Sequence, residues 1–225
     1  MTRNRRVRVG TYNILHGKLT DGNEGLIGQA LREADADIVG LQEVDVGTAR
    51  VGGRDVLRTV AEAGGYPYFA FCRAIELEGG EYGTAVLSRY PILSFAVTPL
   101  PSKNVEGRSL GHAVIDLGGE TLDFFNTHVS YKSPVARRIQ LACVADEVRG
   151  CERYILTGDF NTEDLSELAV FTGQETLNPR AFVTHYPTGV AIDHILVPAG
   201  TRAENVQMPT WSYSDHYPLI ADIYL

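Results

Sequence analysis

The chain has 225 residues, 44% hydrophobic and 21% charged, the proportions of a globular protein long enough to bury its own core. A formal net charge of -8 argues against a protein whose main task is gripping duplex nucleic acid, since that grip is mostly phosphate neutralisation by Lys and Arg. Three cysteines, Cys72, Cys143 and Cys151, lack a C-x-x-C spacing; they speak against a disulfide framework and a cysteine zinc site, and favour a reducing, cytoplasmic setting.

Along the chain, "VRVGTYNIL" alternates like a strand. The basic cluster around its start, Arg3, Arg5, Arg6 and Arg8, reads as a solvated tail; no apolar signal-peptide core follows, and no run is long enough to span a membrane. "GLIGQALREA" repeats apolar residues at helical spacing. "DADIVGLQEV" gives a short buried strand, and "RDVLRTVAEAGG" a second helix stopped by Gly64 and Gly65. Then "YPYFAFC", "YGTAVLSRY", "ILSFAVTPL", "RSLGHAVIDL" and "TLDFFNTHV" read as mostly antiparallel strands separated by turns. "SPVARRIQLACVADEVRG" is the longest predicted helix, with Ser133 as N-cap and Pro134 at its first position. "RYILTGDF" is a strand, "LSELAVF" a short helix, and "AIDHILV", "AENVQM" and "YPLIADIYL" close the chain as strands. Without repeat or linker, residues 1–225 are expected to form a single domain of two packed sheets with helices outside.

Polar residues cluster where these strands end. Asn13, Glu43, His128 and Asp159 fall at or near C-terminal strand ends; Asp193 opens "DHILV", and Asp215-His216 precede "YPLIADIYL". If the last strands run antiparallel to the earlier ones, all reach one rim. Singly, each has a plain reading: Asn13, Asp159 and Asn161 as turn residues, His128 as a core histidine, Glu43 in a salt bridge. Neighbours on a strand face opposite ways, so Asp193 is expected to pair with His216 and not with His194. Together, hard oxygen donors without thiolates suit Mg²⁺, with Mn²⁺ or Ca²⁺ as alternatives. Glu43 assisted by Asn13 would suffice for Mg²⁺, leaving the histidines and other carboxylates for phosphate contact and proton transfer. Nucleotide-cradle, serine-hydrolase and H-E-x-x-H motifs are missing from the sequence. The set points to metal-assisted phosphoester hydrolysis.

In order, "TYNIL", "LQEV", "YGTAVLSRYPI", "EGR", "NTHVS", "GDFN", "IDHILV" and "SDHYPL" resemble the motifs of the endonuclease/exonuclease/phosphatase superfamily, which includes deoxyribonuclease I, abasic-site endonucleases, neutral sphingomyelinases and inositol-polyphosphate 5-phosphatases. The resemblance implies an α/β fold, a four-layer α/β/β/α sandwich. It implies Glu43 as main Mg²⁺ ligand with Asn13 nearby, and Asp215 as a further metal contact. Asp159 would orient or deprotonate the attacking water, and Asn161 and His128 would hold the scissile phosphate. His216, oriented by Asp193, would stabilise the transition state or move a proton. Arg108 and Tyr82 read equally as phosphate contacts or as buried packing partners. His194 stands where the family often has Tyr, in a supporting place; His16, His112 and His185 read as structural or loop histidines. The compact, acidic chain favours a small, lipid-headgroup or single-stranded phosphoester over duplex DNA. A DNA nuclease or abasic-site endonuclease, with nucleic acid as partner, and a catalytically silent binding module are the alternatives. "YPYFAF" is the apolar stretch expected near the rim.

Overall fold

Strand β1 (Arg6–Asn13) shows how the interior is graded. Alternate residues share one face, and here that face carries Val7, Val9, Thr11 and Asn13, all buried. The same sequence of characters recurs on other strands. It runs Leu122, Phe124, Asn126, His128 on β7 (Thr121–His128), Ile155, Thr157, Asp159 on β8 (Tyr154–Asp159), and Val197, Ile195, Asp193 on β10 (Asp193–Pro198), read backwards. Apolar side chains fill one end of the space between the sheets, and polar and ionisable ones the other.

The computed structural model describes residues 5–225; Arg3 lies outside them. Two six-stranded sheets form. The first has the order β11-β12-β1-β2-β4-β3, with β2 Ile38–Val46, β3 Tyr68–Leu77, β4 Gly80–Ser88, β11 Arg202–Gln207 and β12 Leu219–Tyr224. The second has the order β5-β6-β7-β8-β10-β9, with β5 Ile92–Leu100, β6 Arg108–Asp116 and β9 Gln174–Thr176. Each sheet is antiparallel except for one central parallel pair, β1 with β2 and β7 with β8. A helix bridges each parallel pair, as parallel neighbours require: α1 (Gly25–Glu33) in the first half and α3 (Pro134–Val148) in the second. The two sheets therefore share this central β-α-β unit.

Between them Val9, Ile38, Val86, Ile115, Phe124, Ile155, Ile195 and Ala221 form the central core. Outside the first sheet, α1 and α2 (Val56–Gly64) pack Ile27, Leu31, Leu57 and Val60 against Val39 and Leu41. Outside the second, α3 packs Leu141 and Val144 against Phe125 and Leu156. The result is the expected α/β/β/α sandwich. Ser133 caps α3 by accepting from Ala136 N at 3.2 Å, with Pro134 next. Gly65 closes α2 at φ +71, where a side chain would be strained.

Four expectations change. Arg6 and Arg8 are not a solvated tail: they lie on β1 and pair with Asp222 of β12, Arg8 Nε at 2.7 Å and Arg6 Nη1 at 3.1 Å. Glu43 does not end its strand; β2 continues to Val46 across a register shift between Leu41 and Val44. "LSELAVF" makes only a 3₁₀ turn, Glu167–Val170. "YPYFAF" runs toward the rim from the other end of the sheet: Tyr68 pairs with Ser88, level with Ile38 at the opposite end of β2 from Glu43, and only Phe71 comes level with Leu41.

Candidate active site

The rim expected from the strand ends forms. Strand β10 is antiparallel to β8, with Asp193 opposite Asp159, and β12 is antiparallel to β1, with Leu219 opposite Thr11. The starts of the late strands thus meet the ends of the early ones. Just beneath the rim, Thr11, Gln42, Asn126 and Thr157 form a buried network across the two sheets. Gln42 Nε2 donates to Asn126 Oδ1 at 2.7 Å, and Asn126 Nδ2 donates to the Leu41 and Ala85 carbonyls at 2.8 and 2.9 Å. A buried amide left unpaired there would be costly, so the network ties the two sheets at the level on which the site rests.

Asp159 Oδ2 is the convergence point. Asn13 Nδ2 donates to it at 3.0 Å and to Glu43 Oε1 at 3.2 Å. His128 Nε2 stands 3.5 Å away and His216 Nε2 3.8 Å away. His216 Nδ1 is held by Asp193 Oδ2 at 2.8 Å, the couple expected across strands. Turn-making and site-building use the same side chains. Asn13 Oδ1 accepts from Leu15 N at 3.1 Å, and Asp159 Oδ1 from Asn161 N at 2.9 Å, both two residues on. Asn13 therefore turns its amide nitrogen toward the carboxylates and its oxygen toward its own backbone.

The electrostatics follow from burial. Burial, then the charge of Asp193, pushes the Asp159 carboxyl up to about 7. Burial also raises Glu43, with the Asn13 hydrogen bond opposing. For His216 burial works against the proton, but Asp193, by charge and hydrogen bond, and then Asp159 and Asp215 win, raising it to about 10. His128 goes the other way: burial, then the charges of Arg108 and His216, hold it well below the usual imidazole range. Arg108 Nη1 lies 3.4 Å from His128 Nδ1. A guanidinium can only donate, so this contact favours a neutral His128 with its proton on Nε2, the nitrogen facing Asp159. The same pocket thus favours the proton on His216 and disfavours it on His128.

The cavity over these groups measures about 520 Å³, and Glu43, His128, Asp159, Asn161, Asp215 and His216 line it. Asn161 holds φ +50 and donates through Nδ2 to the Val129 carbonyl at 3.0 Å. Asp193 is wholly buried beneath His216. Arg108 and Tyr82 do not line the cavity. They pack behind His128, Arg108 Nη1 at 3.4 Å from the Tyr82 hydroxyl and 2.8 Å from Glu106. His194 is fully buried, its Nδ1 2.9 Å from the Thr176 hydroxyl. His112 is structural, stacked on Phe125 and 2.7 Å from Asp123. His185 is not a remote loop residue. It lines the cavity, lies against the His216 ring with centroids 4.7 Å apart, and approaches Asp215 Oδ2 at 3.8 Å. His16 too reaches the site, 4.0 Å from Glu43 Oε2. Neither carried a sequence signal beyond a lone His in a turn-rich segment.

The profile of the endonuclease/exonuclease/phosphatase family matches residues 10–216, spanning this whole constellation. The chain belongs to that family. An uncharacterised protein of Escherichia coli K12, YbhP, is 29% identical over 97% of this chain and 96% of its own. Among solved structures, an endonuclease/exonuclease/phosphatase from Beutenbergia cavernae superposes with a TM-score of 0.84 at 22% identity, covering 98% of this chain and 72% of that one. A mannosyl-6-phosphatase from Bacteroides thetaiotaomicron gives 0.72 at 21%, covering 97% and 100%. At those identities the structural likeness is one of fold. Family membership makes the protein a phosphoesterase of a generally divalent-metal-dependent class. The donor set agrees with a divalent cation held mainly by oxygen: carboxylates converge with imidazoles, and none of the three free cysteines lines the cavity.

Proposed function

We propose that the protein is a Mg²⁺-dependent hydrolase of phosphodiester or phosphomonoester bonds in small or lipid-headgroup substrates. The observation that carries this reading is the single amide of Asn13 joining Glu43 to Asp159, with the Asp193–His216 couple facing the same oxygen.

Glu43, with Asn13 beside it and Asp215 across the cavity, would hold the cation, which when bound supplies Lewis-acid charge to a phosphate oxygen. Asp159 is the group to orient and deprotonate the attacking water, since it lines the cavity with Oδ2 turned toward Asn13 and His216 and a proton affinity raised by burial. His128, as a neutral Nε2 donor, and Asn161 are set to hold the nonbridging oxygens. His216, kept cationic by Asp193, offers a charge-assisted donor to the pentacovalent transition state and a proton to the leaving oxygen.

Size and charge of the cavity support the substrate class. About 520 Å³ suits a small ligand. Arg137 is the only Arg or Lys among the lining residues, and Glu167 already engages it at 2.6 Å. Glu163 and Asp164 line the same opening, a poor surface for a polyanion. Turnover should be measured with and without EDTA on bis-p-nitrophenyl phosphate, sugar and inositol phosphates, sphingomyelin, RNA, and plain and abasic DNA. The expected outcome is EDTA-sensitive hydrolysis of a small or headgroup phosphoester, restored by Mg²⁺ and reduced about 10²–10⁴-fold by His216→Ala. EDTA-resistant turnover, or preference for duplex DNA, would refute it.

A further inference from the structure

His16 stands beside the site on a turn that has no need of a histidine. Leu15 and His16 both hold left-handed backbone, φ 46 and φ 44, ahead of Gly17 at φ 75. Such a conformation costs a non-glycine residue about 1–2 kcal/mol, and Gly or Asn would meet it more easily. The ring is nevertheless there, and its Nδ1 atom is buried without a hydrogen-bond partner. That nitrogen is 4.0 Å from Glu43 Oε2, too far for a hydrogen bond. Glu43 Oε1 is occupied by Asn13, so Oε2 is the oxygen left facing the ring. The gap fits within the span of two donors that each sit about 2.0–2.2 Å from one ion.

We propose that His16 Nδ1 and Glu43 Oε2 bind the same divalent cation, so that the site offers an imidazole nitrogen among its oxygens. This rests on the reading of Glu43 as the metal-holding carboxylate. It adds a selectivity that a purely oxygen site lacks. Imidazole is a better partner for Mn²⁺ and the later first-row ions than for Mg²⁺.

The test is pulsed electron paramagnetic resonance on the metal-free full chain loaded with Mn²⁺. Wild type should show imidazole ¹⁴N coupling that changes on ¹⁵N-histidine labelling, and His16→Gly should abolish it. The same variant should weaken Mn²⁺ binding about 10–100-fold, while Mg²⁺, measured by competition, shifts several-fold less. Gly suits the backbone at this position; should that variant fail to fold, His16→Asn replaces it. Bound Mn²⁺ with no nitrogen coupling in wild type, or coupling that survives loss of His16, overturns the proposal while leaving the Glu43 reading intact. Failure of Mn²⁺ to bind wild type, or binding indifferent to Glu43→Gln, overturns both.

Discussion

Side chains at the site are held by backbone that would relax without them. Glu43 sits at φ +55 inside the irregular stretch of β2, and Asn161 at φ +50 in the turn after Asp159. Left-handed backbone at a glutamate is a local cost of about 1 kcal/mol, and it aims the carboxylate out of the strand's regular alternation toward Asn13. Function and stability therefore pull apart at this residue. Glu43→Gly should reduce turnover by orders of magnitude, yet its urea midpoint should equal or exceed that of wild type. A variant that lost both together would show that Glu43 is chiefly structural. The bulge was hidden in "IVGLQEV" because an inserted residue leaves no mark on composition or propensity; it appears only when the partner strand's register is known.

At the scale of strands, the parity of the inward faces decides what can be changed. Gly40 lies on β2 where a Cβ would come 2.2 Å from Thr157 Oγ1 and 2.4 Å from Asn126 Oδ1. Gly40→Ala should therefore lower stability by about 1–3 kcal/mol in chemical denaturation and disturb the bed of the site without touching a catalytic group. At the edge of the first sheet, Asp222 binds Arg8 through both oxygens, at 2.7 and 2.9 Å, and Asn205 at 2.7 Å, joining β1, β11 and β12. The Arg8 hydrogen bond holds this carboxyl down at about 2. A depressed carboxylate stabilises fully above its unfolded value, near 4, and the contribution fades as pH falls through 2. Asp222→Asn should lower neutral-pH stability by roughly 1–3 kcal/mol and flatten the acid limb of the melting profile between pH 4 and 2. The sequence showed most of this architecture, because period-2 runs, Gly stops and the Ser133-Pro134 cap are local signals. Glu43, Asp159 and His216 also stood out as ionisable residues beside apolar runs, although Glu43 lies within β2 and not at its end. His16 and His185 escaped because only long-range packing brings their turns to the rim. Arg6 and Arg8 were misread because their partner, Asp222, lies more than two hundred residues away.

Over the whole molecule, the site bridges the two sheets. Asn13 and Glu43 belong to the first, His128, Asp159 and Asp193 to the second. A cation bound to the native site and not to the unfolded chain should stabilise both halves as one unit. At a hundred times its dissociation constant the gain is about 2.7 kcal/mol, or some 5–10 °C in melting temperature for a chain of this size. Calorimetry should show one transition moving upward with added Mg²⁺ in wild type and staying put in Glu43→Gln. Two separating transitions would mean that the sheets melt independently.

The second sheet is built from one unbroken stretch, residues 92–198, while the first takes strands from both sides of it. On the ribosome, β1 and β2 emerge early but lack their neighbour β12, and Asp193 is made before the His216 it must hold. A nascent chain accordingly holds Asn13, Glu43, Asp159 and Asp193 before it has the imidazole that packs against them. On the proposed mechanism, phosphoester cleavage would have to wait until the segment around His216 has been made and folded against β10.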